Sequence, residues 1–198
     1  HPEERLEHPL EQLDGLEIYN RHADASDEAE FLKWFRKALG TVEGWKQLSR
    51  LLAEYREEFF GAQQDYPAAV LARWDQESQK RPLTGVAAND AHHNQVFWLT
   101  RADEETAVID SVERKNLGQV RAGPGEELYR LDFDPYEVSF RNVSTHLWVE
   151  SLTEEAVRAA LRAGRAYVAH DWLCDPTGFR FEREAERVTA VSPVRTHF

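Results

Sequence analysis

Thr145-His146-Leu147-Trp148-Val149, followed by Thr153-Glu154-Glu155-Ala156-Val157, then Gly164-Arg165-Ala166-Tyr167-Val168-Ala169, is the stretch that decides the fold class. Its first run is apolar and β-prone, which predicts a strand. Thr153 then offers a side-chain oxygen to the first free amides of a helix, and Glu154 and Glu155 fall in the first turn, where the helix dipole favours carboxylates. Ala156, Val157, Ala160 and Leu161 share one face of that helix, and Gly164 ends it. Ala166 to Ala169 reads as the next strand. A strand, a helix and a strand in succession favour parallel pairing, because a helical crossover carries the chain back to the edge it left. The fold class expected is therefore α/β.

Working outward, Gly15 opens the strand Leu16-Glu17-Ile18-Tyr19-Asn20, which carries one acid among apolar neighbours and stops at Arg21-His22. Thr84-Gly85-Val86-Ala87-Ala88 predicts a small-residue strand that runs into Asn89-Asp90-Ala91-His92-His93, and Val96-Phe97-Trp98-Leu99 predicts another. Between them lies helical sequence. Asp24, Ser26 and Asp27 are N-cap candidates for a helix with Leu32, Phe35 and Leu39 on one face and Gly40 at its end. Trp45, Leu48, Leu52, Tyr55 and Phe59 continue the spacing into a second helix, and Pro67 opens a third that buries Val70, Leu71 and Trp74. Residues from about 101 to 135 are acidic and turn-rich, with Gly123-Pro124-Gly125 inside, and predict loops or short strands; Asp132 and Asp134 read as a solvated turn. Phe179-Arg180-Phe181 begins an alternating segment near the end.

The 198 residues carry 24 Lys and Arg against 36 Asp and Glu, a net charge of −12 that argues against nucleic acid held by bulk attraction to phosphates. Hydrophobic residues make up 41%, with 6 Trp and 10 Phe, enough apolar mass for a core and too much for a disordered acidic tail. No apolar run approaches the ~20 residues that cross a bilayer. Cys174 is the single cysteine, so an intramolecular disulfide and a cysteine-rich zinc motif are excluded, and any metal falls to His and carboxylates. Met is absent and the chain begins His1-Pro2, with no basic and apolar leader pattern behind it, which suggests a piece of something longer.

Parallel strands collect functional groups at their carboxyl ends. Glu17 with His22 lies at one such end and Asp90 with His92 at another, so Glu17, Asp90 and His92 are expected to converge on one rim. Residues 90 and 92, two apart in an extended chain, point to one side, where a carboxylate and an imidazole can share an ion. Each has a structural reading beside this one. Glu17 can be salt-bridged to an arginine, and the polar loop around His92-His93 can arise by chance. His8, His146, His170 and His197 read as satisfied or exposed histidines. A Ser-His-Asp or Cys-His enzyme finds no support, because no Ser occupies a strand-to-helix elbow and Cys174 has only Asp175-Pro176 and His170 nearby.

His1-Pro2-Glu3-Glu4, Leu13-Asp14-Gly15-Leu16-Glu17-Ile18-Tyr19-Asn20 and Gly85-Val86-Ala87-Ala88-Asn89-Asp90-Ala91-His92, in this order, resemble the later motifs of the PHP (polymerase and histidinol phosphatase) superfamily of metallohydrolases. Gly164-Arg165-Ala166-Tyr167-Val168 is similar to the closing helix and strand of its larger phosphoesterase-like members. The resemblance implies a distorted (β/α) barrel, with residues 1–181 as its portion of the chain, a helical insertion over about 24–80, and 182–198 starting a C-terminal extension. It also implies two or three divalent ions, Zn, Mn or Fe, that hydrolyse phosphate esters. By motif, His1, Glu17, His22, Asp90 and His92 become metal ligands, with Glu17 bridging two ions and Glu17, Asp90 and His92 the catalytic set. The opening His-x-His motif of the family has no counterpart, Asn89 stands where Ser is usual, and a barrel lacking its first strands leaves an unpaired sheet edge.

The function expected is a metal-dependent hydrolase of a small phosphorylated substrate, incomplete as this chain stands, with no membrane partner. The alternative is a non-catalytic PHP-like binding or regulatory module, or pseudoenzyme, which the missing first motif favours. A third reading, an acidic protein-interaction domain, would display its Trp residues as an exposed cluster.

Overall fold

The computed structural model describes residues 9–184 and 187–191. In chain order these form β1 (Gly15–Asn20), α1 (Arg21–Asp27), α2 (Ala29–Leu39), α3 (Val42–Glu54), α4 (Arg56–Gly61), α5 (Ala68–Ser78), β2 (Thr84–Ala88), β3 (Val96–Arg101) and β4 (Thr106–Ser111). There follow β5 (Gly118–Arg121), β6 (Arg130–Asp132), α6 (Tyr136–Asn142), β7 (Ser144–Leu147), α7 (Glu154–Arg162), β8 (Ala166–Ala169), β9 (Arg180–Glu184) and β10 (Arg187–Val191). No helix among them is long and apolar enough to cross a membrane.

The chain is α/β in content, but the expected PHP-type (β/α) barrel is not what these strands build. Among the described residues they make an antiparallel sheet in the order β5-β4-β3-β6, a parallel pair β1-β2, an antiparallel pair β7-β8 and a hairpin β9-β10. The physical reason lies in the connections. β3 and β4 are joined by residues 102–105, too few for the crossover a parallel pair needs, and the Ala102 and Asp103 amides both donate back to the Thr106 carbonyl. The turn-rich stretch from 101 to 135 thus folds antiparallel, with β4 and β5 following β3 as neighbours and β6 returning to the other side of β3.

The stretch that suggested parallel pairing also departs. Thr153 caps α7 as expected, its hydroxyl accepting from the Ala156 amide, yet β7 and β8 pair antiparallel, Ser144 opposite Ala169 and Leu147 opposite Ala166. The Trp148 amide donates to the Arg165 carbonyl at 3.0 Å, so the chain leaves and re-enters at the same end, with α7 as an excursion between. Gly164, at φ +67°, makes the turn back into β8. Parallel pairing does hold for β1 and β2, Gly15 opposite Thr84 and Asn20 opposite Ala88.

Two compact units divide the chain. One takes its residues from the segments ending at Asn20, spanning Tyr66–Asn89, and starting at Arg141; the other comprises Arg21–Asp65 and Asp90–Phe140. In the second unit α2 to α4 cover the four-stranded sheet. Trp45, Leu48, Leu52 and Phe59 pack with Leu99, Ile109, Val120, Leu131 and Phe133, each such burial contributing roughly 1.5–3 kcal/mol. Phe133 is the hub, with ring centroids of Phe35, Phe59 and Phe97 at 5.0, 5.6 and 6.0 Å. The helix expected to run from Trp45 through Phe59 breaks at Tyr55 into α3 and α4, and residues 21–27, expected to supply a cap, form a short helix of their own. In the first unit Tyr19, Leu83, Val143 and Ala160 are buried.

Candidate functional site

The residues after β2 form an irregular loop to β3, and two of its members, Asp90 (φ 52°) and His93 (φ 51°), adopt the left-handed conformation. Asp and His tolerate that region better than most residues, and non-glycine residues held there concentrate at functional sites. Asp90 Oδ1 comes within 3.7 Å of His92 Nε2, each side chain about half exposed at 46% and 48%. The His22 ring, on α1, lies 5.0 Å from the His92 ring, centroid to centroid. His22, Asp90 and His92 are thus brought together, although by a left-handed turn and not by the extended alternation the sequence suggested.

The loop is clamped from the end of β6. Asp134 is buried, its Oδ2 accepting from the Asn94 amide at 3.0 Å and its Oδ1 from the Gln95 amide at 2.9 Å. His93 Nε2 lies 3.1 Å from Asp132 Oδ2, and its ring meets Tyr136 edge-on at 5.4 Å. The hydrogen bond to Asp132, together with the charges of Asp132, Asp134 and Glu137, holds the His93 imidazole above its ordinary pKa in spite of desolvation. Asn94 Nδ2 donates to Glu113 at 2.8 Å. Asp132 and Asp134 are therefore not a solvated turn. The signal that would have found Asp134 is its place beside Phe133, whose apolar side chain belongs to the core.

Glu17 belongs to the first unit, where it is exposed and accepts from Asn20 Nδ2 at 2.9 Å; this partner is an amide, not the arginine of the structural reading. His1 lies outside the described residues. Among the described residues no group of three or more His, Cys, Asp or Glu is arranged to hold a metal ion.

The first unit carries a polar cluster that sequence reasoning passed over. His146 Nε2 is 2.8 Å from Asp171 Oδ1 and 3.1 Å from Ser144 Oγ, and Ser144 Oγ donates to Asp171 Oδ2. The His146 ring stacks on Tyr167 at 4.9 Å. On the adjoining residue, burial pushes the His170 imidazole below its ordinary pKa; its ring meets Tyr19 edge-on at 4.9 Å, and its Nδ1 is buried without a hydrogen-bond partner. The period-two spacing of Ser144 and His146 was visible in sequence, but their meeting with Asp171 depends on the β7-β8 register.

Comparison with protein-family models, with characterised proteins and with solved structures finds no match for the chain.

Proposed function

We propose that this chain is a metal-dependent hydrolase acting on phosphate esters, with His22, Asp90 and His92 as ligands of a divalent ion. The observation that carries the reading is the meeting of His22, on α1, with Asp90 and His92 on a loop that has two left-handed residues and is fixed by a buried carboxylate. Two imidazoles and one carboxylate are a donor set that Zn, Mn and Fe accept. The half-exposed side chains of Asp90 and His92 are free to turn onto an ion, which is how a set not yet aimed at one point can still fit one. The resemblance of the blocks around Glu17 and Asp90 to metallohydrolase motifs supports the same reading.

When bound, a divalent ion supplies an acidified water and neutralises charge on phosphoryl oxygens. The chain's own part is positional. Asp134 holds the Asn94 and Gln95 amides, so the backbone that follows His92 is fixed before substrate arrives. A pre-set loop loses less entropy on binding than a mobile one.

Elemental analysis of the full chain after dialysis against Zn2+ or Mn2+ tests this, alongside His92→Ala and Asp90→Asn. Metal bound in the loop should fall at least about tenfold in affinity in both variants, and hydrolysis of a generic phosphomonoester should fall with it. Unchanged metal content in both variants, with the fold intact by circular dichroism, overturns the assignment.

A further inference from the structure

We propose that Tyr136 and Phe140, on α6, form an aromatic platform beside the loop bearing Asp90 and His92, so that the phosphate ester taken there is one whose alcohol carries a planar aromatic ring. This rests on the metal reading of that loop and names the class of substrate it serves.

α6 inverts the ordinary pattern of burial. An amphipathic helix turns its apolar residues inward. Here Ser139 and Asn142 are buried, while Tyr136 and Phe140, four apart and so neighbours along one face, stand 46% and 61% exposed. A buried polar side chain and an exposed large apolar one are the informative departures from normal burial. Two rings left in water forgo the stabilisation that burial would bring. The rings lie almost parallel, 12° apart with centroids separated by 5.4 Å, and Phe140 has no other ring partner among the described residues.

The pair stands at the candidate metal loop. Tyr136 Oη donates to the His92 carbonyl oxygen in a long bond of 3.5 Å, and the Tyr136 ring meets the His93 ring at 5.4 Å. Ser139 Oγ donates to the Asp134 carbonyl oxygen at 3.3 Å, and the carboxylate of the same Asp134 holds the Asn94 and Gln95 amides. One buried residue thus fixes both helix and loop, and the platform is in place before a ligand arrives.

Geometry and area choose the occupant. A cage for a quaternary ammonium surrounds the cation with several rings, whereas two rings flat against each other leave a flat face that suits another planar ring. About half of each ring is open, roughly 200 Å2 in all at ~200 Å2 per aromatic side chain. A stable protein interface needs ~800 Å2 on each partner, so the pair by itself matches a small ring and not a second chain. An uncharged ring is also not repelled by Asp132 and Glu137, whose charges act on the neighbouring His93.

The probes are phenylphosphonate and cyclohexylphosphonate, alike in charge and close in size, flat in one case and puckered in the other, and both without an ester bond to cleave. Titrated calorimetrically into the full chain loaded with Zn2+, phenylphosphonate should bind about three- to tenfold more tightly, and it should move the Phe140 ring signals in NMR spectra. Phe140→Leu, at an exposed position, keeps apolar bulk and removes the π face. The ratio of the two affinities should then fall to about one, with Zn2+ content and cyclohexylphosphonate affinity unchanged. Equal affinity of the two phosphonates for the natural chain, or a preference that survives Phe140→Leu, overturns the platform and leaves the metal reading standing. Binding of neither phosphonate overturns both. A chain that sediments as a dimer, and as a monomer once Phe140→Leu is made, shows the face covered by a second copy and likewise overturns the proposal.

Discussion

Asp134 accepts one amide hydrogen on each carboxylate oxygen while almost wholly buried, so the loop bearing Asp90 and His92 is tied to the core by a charged acceptor. Asp134→Asn turns an NH2 group toward one of those amides, and an unsatisfied buried amide costs about 1–3 kcal/mol. Chemical denaturation should show a loss of that size, with the metal affinity of the loop falling alongside it. His93 acts on the same loop through pH. Its pKa in the folded chain is raised, first by the hydrogen bond to Asp132, so its stabilising pairing is fully present below the ordinary imidazole value of about 6.5 and is lost as pH rises through the raised one. The stability difference between the natural chain and His93→Gln should therefore shrink from pH 6 to pH 8 in thermal melts, and a difference that grows would contradict the pairing. Glu17 behaves otherwise: exposed and bonded to Asn20 alone among the contacts seen, it should tolerate Glu17→Gln with a change under about 0.5 kcal/mol, because no buried arginine is stranded. At this scale the residues next to one another in sequence were legible, Asp90 with His92 above all. Asp134 and Asp171 were not, because a carboxylate's role depends on which backbone or side chain folds onto it, and both partners lie far along the chain or across a strand pair.

Elements declared themselves wherever the signal was local. The three-to-four spacing of Trp45, Leu48 and Leu52 marks α3, and the Thr153 cap with its acidic first turn marks α7; both survive because cap and periodicity act within a few residues. Pairing did not declare itself, since an antiparallel β7-β8 and a parallel one demand the same residues, and the choice falls to the Trp148 to Arg165 bond and the turn at Gly164. A barrel could not be told from separate small sheets for the same reason. The crossing of α2 and α3 shows how tightly a local choice can be set. A Cβ on Gly44 would stand 2.0 Å from the Ala38 carbonyl oxygen, a backbone atom that cannot swing away, while the Gly44 amide donates to Thr41 Oγ1 and caps α3. Gly44→Ala should accordingly cost about 1–3 kcal/mol or more through forced separation of the helices, against the gain of a few tenths to ~1 kcal/mol that Ala brings in an open helix. Urea titration of the variant measures it, and a stabilised variant would mean that the two helices do not press together at Gly44.

At the scale of the whole molecule the governing quantity is the charge of −12, which acts on every ion that approaches the chain. An acidic chain attracts divalent cations and repels phosphate esters, and both effects are long-range at low ionic strength, where the Debye length is about 30 Å at 0.01 M and falls to about 8 Å at 0.15 M. Two opposite salt dependences follow. The apparent affinity for Mn2+ should fall as NaCl is raised from 10 to 150 mM, because screening removes the attraction that the surplus carboxylates provide. The affinity of the metal-free chain for inorganic phosphate should be low at 10 mM and should not decline with added salt, because screening there removes repulsion. Once metal is bound, the repulsion at the loop is locally offset, so phosphate binding should strengthen and its dependence on salt should flatten. Isothermal titration of both ions across that salt range reads all three effects. Phosphate affinity that drops steeply with salt in the metal-free chain would instead reveal a cationic patch that holds the anion directly, and would remove the need for a metal to reconcile an acidic protein with an anionic substrate.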